Sequence, residues 1–143
     1  MILLDANLLL YAANRDAPEH DAARTWLDDR LAGTVRVGLP WPSLLAFVRI
    51  ASNPSAVRHP VKPLEAWRQV TAWLACDVAW TPVPGARHAE ILEGLLQQRF
   101  MTTRLVPDAH LAALAIEHGL TLCTTDGDFA RFPGLRHDNP LAA

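Results

Sequence analysis

The sequence has few cysteines and almost no lysine. Its two cysteines, Cys76 and Cys123, lie far apart in apolar stretches. That spacing matches no metal motif, so we expect buried free thiols, which are typical of a reducing compartment. Thirteen residues are basic, but only Lys62 is a lysine, and the formal net charge is −2. This balance excludes a strongly basic nucleic-acid coat, although it leaves room for a local arginine patch.

Long hydrophobic runs and nucleotide-binding motifs are also missing. No uncharged run is long enough to cross a bilayer. The apolar amino terminus, MILLDANLLLYAAN, contains Asp5 and has no basic flank, so it has the features of neither a signal peptide nor a membrane span. The motifs GxxxxGKS/T, GxGxxG and GxSxG do not occur. We therefore expect a cytoplasmic protein with no membrane partner and no nucleotide-cofactor site of those kinds.

The remaining composition is that of a globular protein. Hydrophobic residues make up 50% and charged residues 20% of the 143 residues, which fits a single domain over 1–143. Strands are predicted at 2–4, 35–39, 78–83, 120–124 and near 135–137, and helices at 6–13, 19–31, 44–51, 64–75, 86–98 and 109–118. This alternation predicts an α/β fold, a three-layer α/β/α sandwich around a central parallel sheet.

Four aspartates stand where such a fold would gather them. Asp5 closes the first predicted strand, and Asp126 closes the fourth. Asp108 opens a predicted helix, and Asp128 follows Asp126 across Gly127. Each alone has a local interpretation as a helix cap or a turn residue. The carboxyl ends of parallel strands share one edge of the sheet, however, so we expect these acids to converge there.

Converging carboxylates raise one another's pKa and are held together most easily by a hard divalent cation. A ligand set of oxygens alone favours Mg²⁺, with Mn²⁺ as a substitute, over zinc. Asn7 and Thr124 lie at the same predicted edge and would supply further oxygens or hold the acids in place. A metal with open coordination positions suits hydrolysis of a phosphodiester, because it activates water and neutralises phosphate oxygens.

Three segments, MILLDANLLLYA, VPDAHLAALAIEHG and LCTTDGDFARF, resemble the PIN-domain nucleases in order and spacing. Within these, the chain is most similar to VapC-type toxins of bacterial type II toxin–antitoxin modules. The resemblance implies a magnesium-dependent endoribonuclease with a PIN-like fold. It assigns Asp5 and Asp108 as the principal metal-binding and catalytic acids, and Asp126, also metal-binding and catalytic, as the family's fourth acid at the end of the late strand. Asp128 matches a further acid, and Asn7 and Thr124 match polar residues near the metal.

The sequence departs from the family at one acid. Family members carry a glutamate early in the third helix, in a stretch resembling LxEFLR. This chain has LLAFVR, which places Ala46, or alternatively Phe47, at that position, in a helix that we expect Ser43 to cap. Glu90 and Glu93 belong to another predicted helix. The site therefore binds one metal or two, and the alternative function is a weak or inactive PIN domain that binds RNA or an antitoxin without cutting.

The resemblance also implies partners: RNA as substrate, a cognate VapB-type antitoxin and a second copy in a homodimer. Arg15, Arg49 and Arg104 lie near the edges of predicted elements and are candidates for binding the RNA backbone. Their alternative role is that of ordinary solvated or ion-paired arginines. A phosphatase of the haloacid type would need DxDxT/V after the first strand. The chain has Ala6 and Asn7 after Asp5, so this class lacks its second acid.

Overall fold

A five-stranded sheet, parallel throughout, runs through the protein. The computed structural model describes residues 1–142, so Ala143, the end of the predicted domain, lies outside the described residues. The strands are β1 (Ile2–Leu4), β2 (Val37–Gly38), β3 (Ala79–Trp80), β4 (Thr121–Cys123) and β5 (His137–Asp138). Their order across the sheet is β3-β2-β1-β4-β5. All five predicted strands exist, although most are shorter than expected.

Helices connect the strands, as the predicted sandwich requires. They are α1 (Ala6–Ala13), α2 (His20–Leu31), α3 (Trp41–Ala51), α4 (Pro63–Leu74), α5 (His88–Leu96) and α6 (Val106–His118). Short 3₁₀ helices lie at Thr103–Leu105 and Gly127–Arg131. No helix within residues 1–142 is long and apolar enough to span a membrane.

The start of α3 differs from the prediction. The helix begins at Trp41 with Pro42 in its first turn and Pro40 as the cap residue. Proline is tolerated there because the first N–H groups of a helix have no partner within the helix. Ser43 is therefore inside α3 and does not cap it. Its buried hydroxyl donates instead to the carbonyl of Leu4, at 2.8 Å.

The two faces of the sheet are covered by two separate apolar clusters. Leu4 and Cys123 pack with residues of α1, α2, α3 and α4. Leu3 and Leu122 point to the opposite face and pack with α5 and α6. This follows from the alternation of side chains along a strand. Burial raises the pKa of the Cys123 thiol to about 12, and Cys76 is half-buried, so both cysteines are free thiols as predicted.

The chain reverses its direction across the sheet at β1. From β1 it proceeds to β2 and β3 on one side, and later places β4 and β5 on the other. Ligands of open α/β sheets bind in the crevice at the carboxyl ends of the strands where such a reversal occurs. One further hydrogen bond joins β1 and β4 just past the end of β1, where the Asp5 amide donates to the Cys123 carbonyl at 3.0 Å.

Candidate active site

Asp5 lies at the reversal point, where β1 ends and α1 begins. Its Oδ1 accepts a hydrogen bond from the Ala6 amide at 2.7 Å, so the side chain caps α1 as its local interpretation requires. Its Oδ2 accepts from the Thr124 hydroxyl at 2.8 Å, across the gap between β1 and β4. The capping role and the functional role are therefore compatible, since one oxygen serves the helix and the other faces the site.

Thr124 connects the two strand ends through its hydroxyl. This oxygen donates to Asp5 and accepts from the Asn7 amide group at 3.1 Å and from the Asp126 backbone N–H at 3.0 Å. A hydroxyl offers one donor and two acceptor positions, so all three are filled. Thr124 is only 2% exposed. Asn7 and Thr124 thus hold the acids in place, and the sequence correctly placed both at this edge.

Asp108 reaches the same edge from α6. It lies in the first turn of that helix, after Pro107, where an acidic side chain complements the helix dipole. Burial raises the pKa of Asp108 to about 6, helped by the charges of Asp126 and Asp5, while Arg104 opposes the rise. The charges of Asp126 and Asp5 therefore act on Asp108 at this edge of the sheet.

The pKa of Asp5 is raised too. Burial is the main cause, and the charge of Asp126 adds to it, while the hydrogen bonds from Thr124 and Ala6 oppose it. No ion pair within residues 1–142 involves Asp5, Asp108 or Asp126. These three acids therefore repel one another, and the cation that acts on Asp108, Arg104, is itself paired with Asp128.

The donors of this edge fit Mg²⁺ better than a metal that needs a complete protein cage. Within residues 1–142, no three His, Cys, Asp or Glu side chains are close enough to hold an ion by themselves. Mg²⁺ keeps several of its waters and is commonly bound through one or two carboxylates together with substrate phosphate. Asp5 and Asp108 supply two such carboxylates, and every nearby donor is an oxygen.

Asp126 and Asp128 lie in the turn after β4. Asp126 caps the 3₁₀ helix Gly127–Arg131, because its Oδ1 accepts from the Asp128 amide at 2.9 Å. Asp128 differs from the other three acids because it is paired with arginines. Arg104 approaches one of its oxygens to 3.1 Å and Arg131 the other to 3.8 Å. The sequence did not single out Arg131, which lies three residues after Asp128 on a helical turn and was recognisable by that spacing.

The structure favours Ala46 over Phe47 at the position of the missing glutamate. Phe47 is 2% exposed and packs edge-on against Trp73, so it belongs to the core. Ala46 is half-buried. It lies about one turn after Ser43, whose hydroxyl is bonded to the residue before Asp5. Within residues 1–142, no ion pair joins Glu90 or Glu93 to the acids, and Glu90 pairs with Arg87 instead.

The three candidate arginines are spread over the surface. Arg104 is beside the acids, as its ion pair with Asp128 and its effect on Asp108 show. Arg15 follows the other end of α1, roughly 12 Å from Asp5 along a helix axis of 1.5 Å per residue. Arg49 lies exposed in the last turn of α3. The structure therefore brings Arg104 to the site, and RNA binding by Arg15 and Arg49 stays a prediction.

Two adjoining grooves lie on the helical face that carries α1 and α4. One, of about 520 Å³, is formed by α1, α3, α4 and the loop before α4, and includes Leu10, Phe47, Val57 and Val61. The other, of about 490 Å³, lies between α1, α2 and α4. Ala13 and Gln69 line both. None of the four acids lines either groove.

Comparison with known proteins gives a consistent result. The PIN domain family model matches residues 2–135. The chain is similar to Ribonuclease VapC37 of Mycobacterium tuberculosis, with 44% identity over 142 residues and 99% of both chains covered. It is also similar to Ribonuclease VapC33 of that organism, with 37% identity over 141 residues and 99% of both chains covered.

Solved structures share the fold. VapBC2 from Rickettsia felis, crystallised with a DNA fragment from its promoter, matches with a TM-score of 0.69 at 21% identity, covering 97% of this chain and 98% of the other. FitAcB from Neisseria gonorrhoeae matches with a TM-score of 0.65 at 21% identity, covering 98% of each chain. At this level of identity, the likeness concerns the arrangement of strands and helices.

Proposed function

The chain belongs to the VapC ribonucleases of the PIN-domain family, and from this membership we propose that it is the toxin of a type II toxin–antitoxin module. We propose further that it is a magnesium-dependent endoribonuclease that hydrolyses RNA phosphodiester bonds. One observation carries the assignment of the site. Burial, followed by the charges of Asp126 and Asp5, raises the pKa of Asp108 to about 6, and none of these three acids has an ion-pair partner within residues 1–142.

In this proposal Asp5 and Asp108 hold Mg²⁺, or Mn²⁺ in its place, and Asp126 adds negative charge beside them. Bound there, the ion would activate a water molecule and neutralise charge on the phosphate oxygens. Thr124 fixes the Asp5 carboxylate by its 2.8 Å hydrogen bond, and Asn7 fixes Thr124 in turn. These contacts preserve the orientation of the carboxylate while RNA binds and leaves.

The proposed activity is tested by incubating the purified chain with a labelled, partly single-stranded RNA, because unpaired loops and ends are the accessible substrates. We expect internal cleavage with Mg²⁺ or Mn²⁺ and none in EDTA. Cleavage that proceeds equally in EDTA would refute the metal assignment. RNA binding without cutting, under any divalent metal and with any RNA tested, would instead support the binding-only alternative, which the alanine at position 46 favours.

We propose that a VapB-type antitoxin binds the two adjoining grooves, because they offer an apolar surface away from the acids. The Rickettsia structure that shares this fold is of VapBC2. Ala13 is exposed and lines both grooves. Ala13→Arg should abolish neutralisation by the antitoxin and leave RNA cleavage intact. Ala22→Arg, at an exposed position that lines neither groove, is the matched control.

We also propose the homodimer that the family implies. Large apolar side chains are exposed on α3 and α4: Trp41 is 41%, Leu45 57% and Leu64 58% exposed. Trp41 stacks on Trp67 with ring centroids 6.0 Å apart, which joins these positions into one surface. Light scattering should give twice the chain mass for the wild type and the single mass for Leu45→Asp. A monomeric wild type would contradict the proposal.

A further inference from the structure

We propose that Asp128 is the anchor of two arginines, Arg104 and Arg131, which bind an RNA phosphate beside the acids, and that it is not a metal ligand. The inference rests on the proposed function, since it names the group that receives the RNA backbone at that site. It gives Asp128 a role different from the one that the family resemblance implies.

The ion pairs of Asp128 carry the argument. Its Oδ2 lies 3.1 Å from Nη1 of Arg104, with hydrogen-bond geometry, and its Oδ1 lies 3.8 Å from Nη2 of Arg131. Each oxygen therefore faces a guanidinium. The Asp128 side chain is 25% exposed, whereas those of Arg104 and Arg131 are 70% and 53% exposed. A mostly buried carboxylate thus holds two guanidiniums at the surface.

The remaining contacts of Asp128 separate it from the other acids. Among the charges that act on the pKa of Asp108, Asp126 and Asp5 come first and Asp128 comes last, after Arg104. The hydrogen bond between Asp128 and Asp126 uses the backbone amide of Asp128, not its carboxylate. The Arg104 guanidinium is held by Asp128 at 3.1 Å, and its charge also acts on Asp108.

Arg104 retains the capacity to bind phosphate in this position. An arginine has five N–H donors in a planar fork, and the contact with Asp128 uses one nitrogen. A free arginine side chain loses much rotamer freedom when it binds a phosphate, and an arginine already held by a carboxylate loses less. Asp128 would therefore favour RNA binding by keeping the guanidinium in place, although its own charge repels RNA.

The pair Arg24 and Asp28 on α2 is the natural control. These residues form an i, i+4 ion pair at 3.8 Å, with 59% and 68% of the side chains exposed. This pair lies on α2, where it lines the second groove and contacts none of the four acids. Asp28→Asn removes the same charge as Asp128→Asn without touching the candidate RNA path.

The experiment measures two affinities for the variants Asp128→Asn, Arg104→Gln, the double variant and Asp28→Asn. The first is the affinity for Mn²⁺ alone, followed by calorimetry. We expect Asp128→Asn to retain the wild-type Mn²⁺ affinity within about twofold, well below the roughly 10–100-fold loss typical when even a group that supports a metal ligand is removed. A loss of Mn²⁺ affinity in that larger range would overturn the inference.

The second affinity is that for a fluorescein-labelled single-stranded RNA oligonucleotide in EDTA, measured at several salt concentrations. Arg104→Gln should weaken binding and reduce the salt slope by about 0.7, the value for one phosphate contact on a single strand. Asp128→Asn should also weaken binding several-fold, and the double variant should be no weaker than Arg104→Gln. Asp28→Asn should bind RNA as well as the wild type or slightly better.

Tighter RNA binding by Asp128→Asn than by the wild type would overturn the inference, because Asp128 would then only compete with the phosphate. Independent, additive effects of the two substitutions would overturn it as well. If the wild type binds RNA through Arg104 but does not cleave it with Mg²⁺, the proposed hydrolysis fails and the anchoring role of Asp128 stands. The two failures are thus distinguishable.

Discussion

Carboxylates in two regions of this protein have opposite electrostatic surroundings. At the reversal point of the sheet, Asp108 has its pKa raised to about 6 by burial and by Asp126 and Asp5. At the mouth of the larger groove, a hydrogen bond from His59, 2.7 Å away, lowers the pKa of Asp16. Asp16 is thus paired with a group on a neighbouring loop, whereas Asp108 faces further negative charge.

The difference in surroundings distinguishes a carboxylate that has its partner within the protein from carboxylates whose charge is suited to binding a ligand. The Asp16–His59 pair joins the loop before α4 to the connection between α1 and α2, so the Asp16 carboxylate already has a partner within the protein. The acids at the reversal point repel each other, and Thr124, itself bonded to Asn7, links the Asp5 carboxylate to the Asp126 backbone. A protein retains such repulsion most readily where a cation offsets it, and perturbed pKa values cluster at functional sites for this reason.

The largest expected effect is that of Asp5→Asn. The amide keeps the shape of the side chain and its cap on α1 but loses the charge that we propose holds the metal. Cleavage of RNA should fall by more than about 100-fold, beyond the loss seen when only a supporting partner of a metal ligand is removed. Toxicity on expression without antitoxin should disappear. Asp16→Asn removes the same charge from the other region and should leave cleavage unchanged.

The second-largest effect is expected from lowering the pH, which should change the protonation of Asp108 before that of Asp16. Asp108 must lose its proton to bind a metal, so cleavage and Mn²⁺ affinity should fall about tenfold per pH unit below its pKa of about 6. In metal-free buffer, lowering the pH should instead make the folded protein more stable. The folded state binds the proton more tightly than the unfolded one, so this contribution to the free energy of unfolding is present below 3.8 and lost as the pH rises through about 6.

Thermal unfolding of the metal-free protein checks whether its stability decreases as the pH rises. The melting temperature of the wild type should include a component that decreases between pH 4 and pH 6, and Asp108→Asn should remove it. Added Mg²⁺ should raise the melting temperature at pH 7 and not at pH 4, because a ligand stabilises the state that binds it. A Mg²⁺ effect of equal size at both pH values would place the ion elsewhere.

A smaller effect is expected from Ala46→Glu, which restores the family acid. Because Ala46 is half-buried and follows Ser43 by about one turn, the new carboxylate should reach the acids and raise cleavage several-fold at limiting Mg²⁺. It should also make the metal-free protein less stable by adding to the repulsion. Ala46→Gln has the same size without the charge and should do neither. Equal effects of Glu and Gln would show that position 46 does not face the metal.

The smallest effect is expected from His59→Ala. His59 is exposed, and exposed ion pairs contribute little to stability. RNA cleavage should be unchanged, and the melting temperature should fall only slightly at neutral pH. Since the pKa of Asp16 is lowered, the stabilisation from this pair should vanish only as the pH falls below its ordinary value of 3.8. A marked loss of cleavage in His59→Ala would show that the larger groove belongs to the active site.

Much of the fold was predictable because it follows from local patterns. The run Ile2–Leu4 ends at an acid, and α1 and α2 have clear periodicity, so their bounds agree with the prediction to within about one residue. The start of α3 was missed because Pro40 and Pro42 suggested a loop, whereas proline is acceptable in the first turn of a helix. Ser43 was misassigned for the same reason.

The positions of Asp5 and Thr124 in the fold were predictable from the sequence, and their contacts were not. Placement of Asp5 and Thr124 at one edge requires only that both strands be parallel, which buried apolar runs indicate. The hydroxyl of Thr124 reaches Asp5 across 119 positions of the chain, and no local pattern determines that distance. The pairing of Asp128 with Arg104 spans 24 positions, so the sequence grouped Asp128 with the other acids by proximity alone.

Anomalous diffraction from a crystal soaked in Mn²⁺ would show whether the acids at the reversal point form one divalent-metal site. We expect an anomalous peak within coordination distance of carboxylate oxygens of both Asp5 and Asp108, with water in the remaining positions and no oxygen of Asp128 among the ligands. No peak at these acids in the wild type, or a peak ligated by Asp16 and His59 instead, would contradict this expectation.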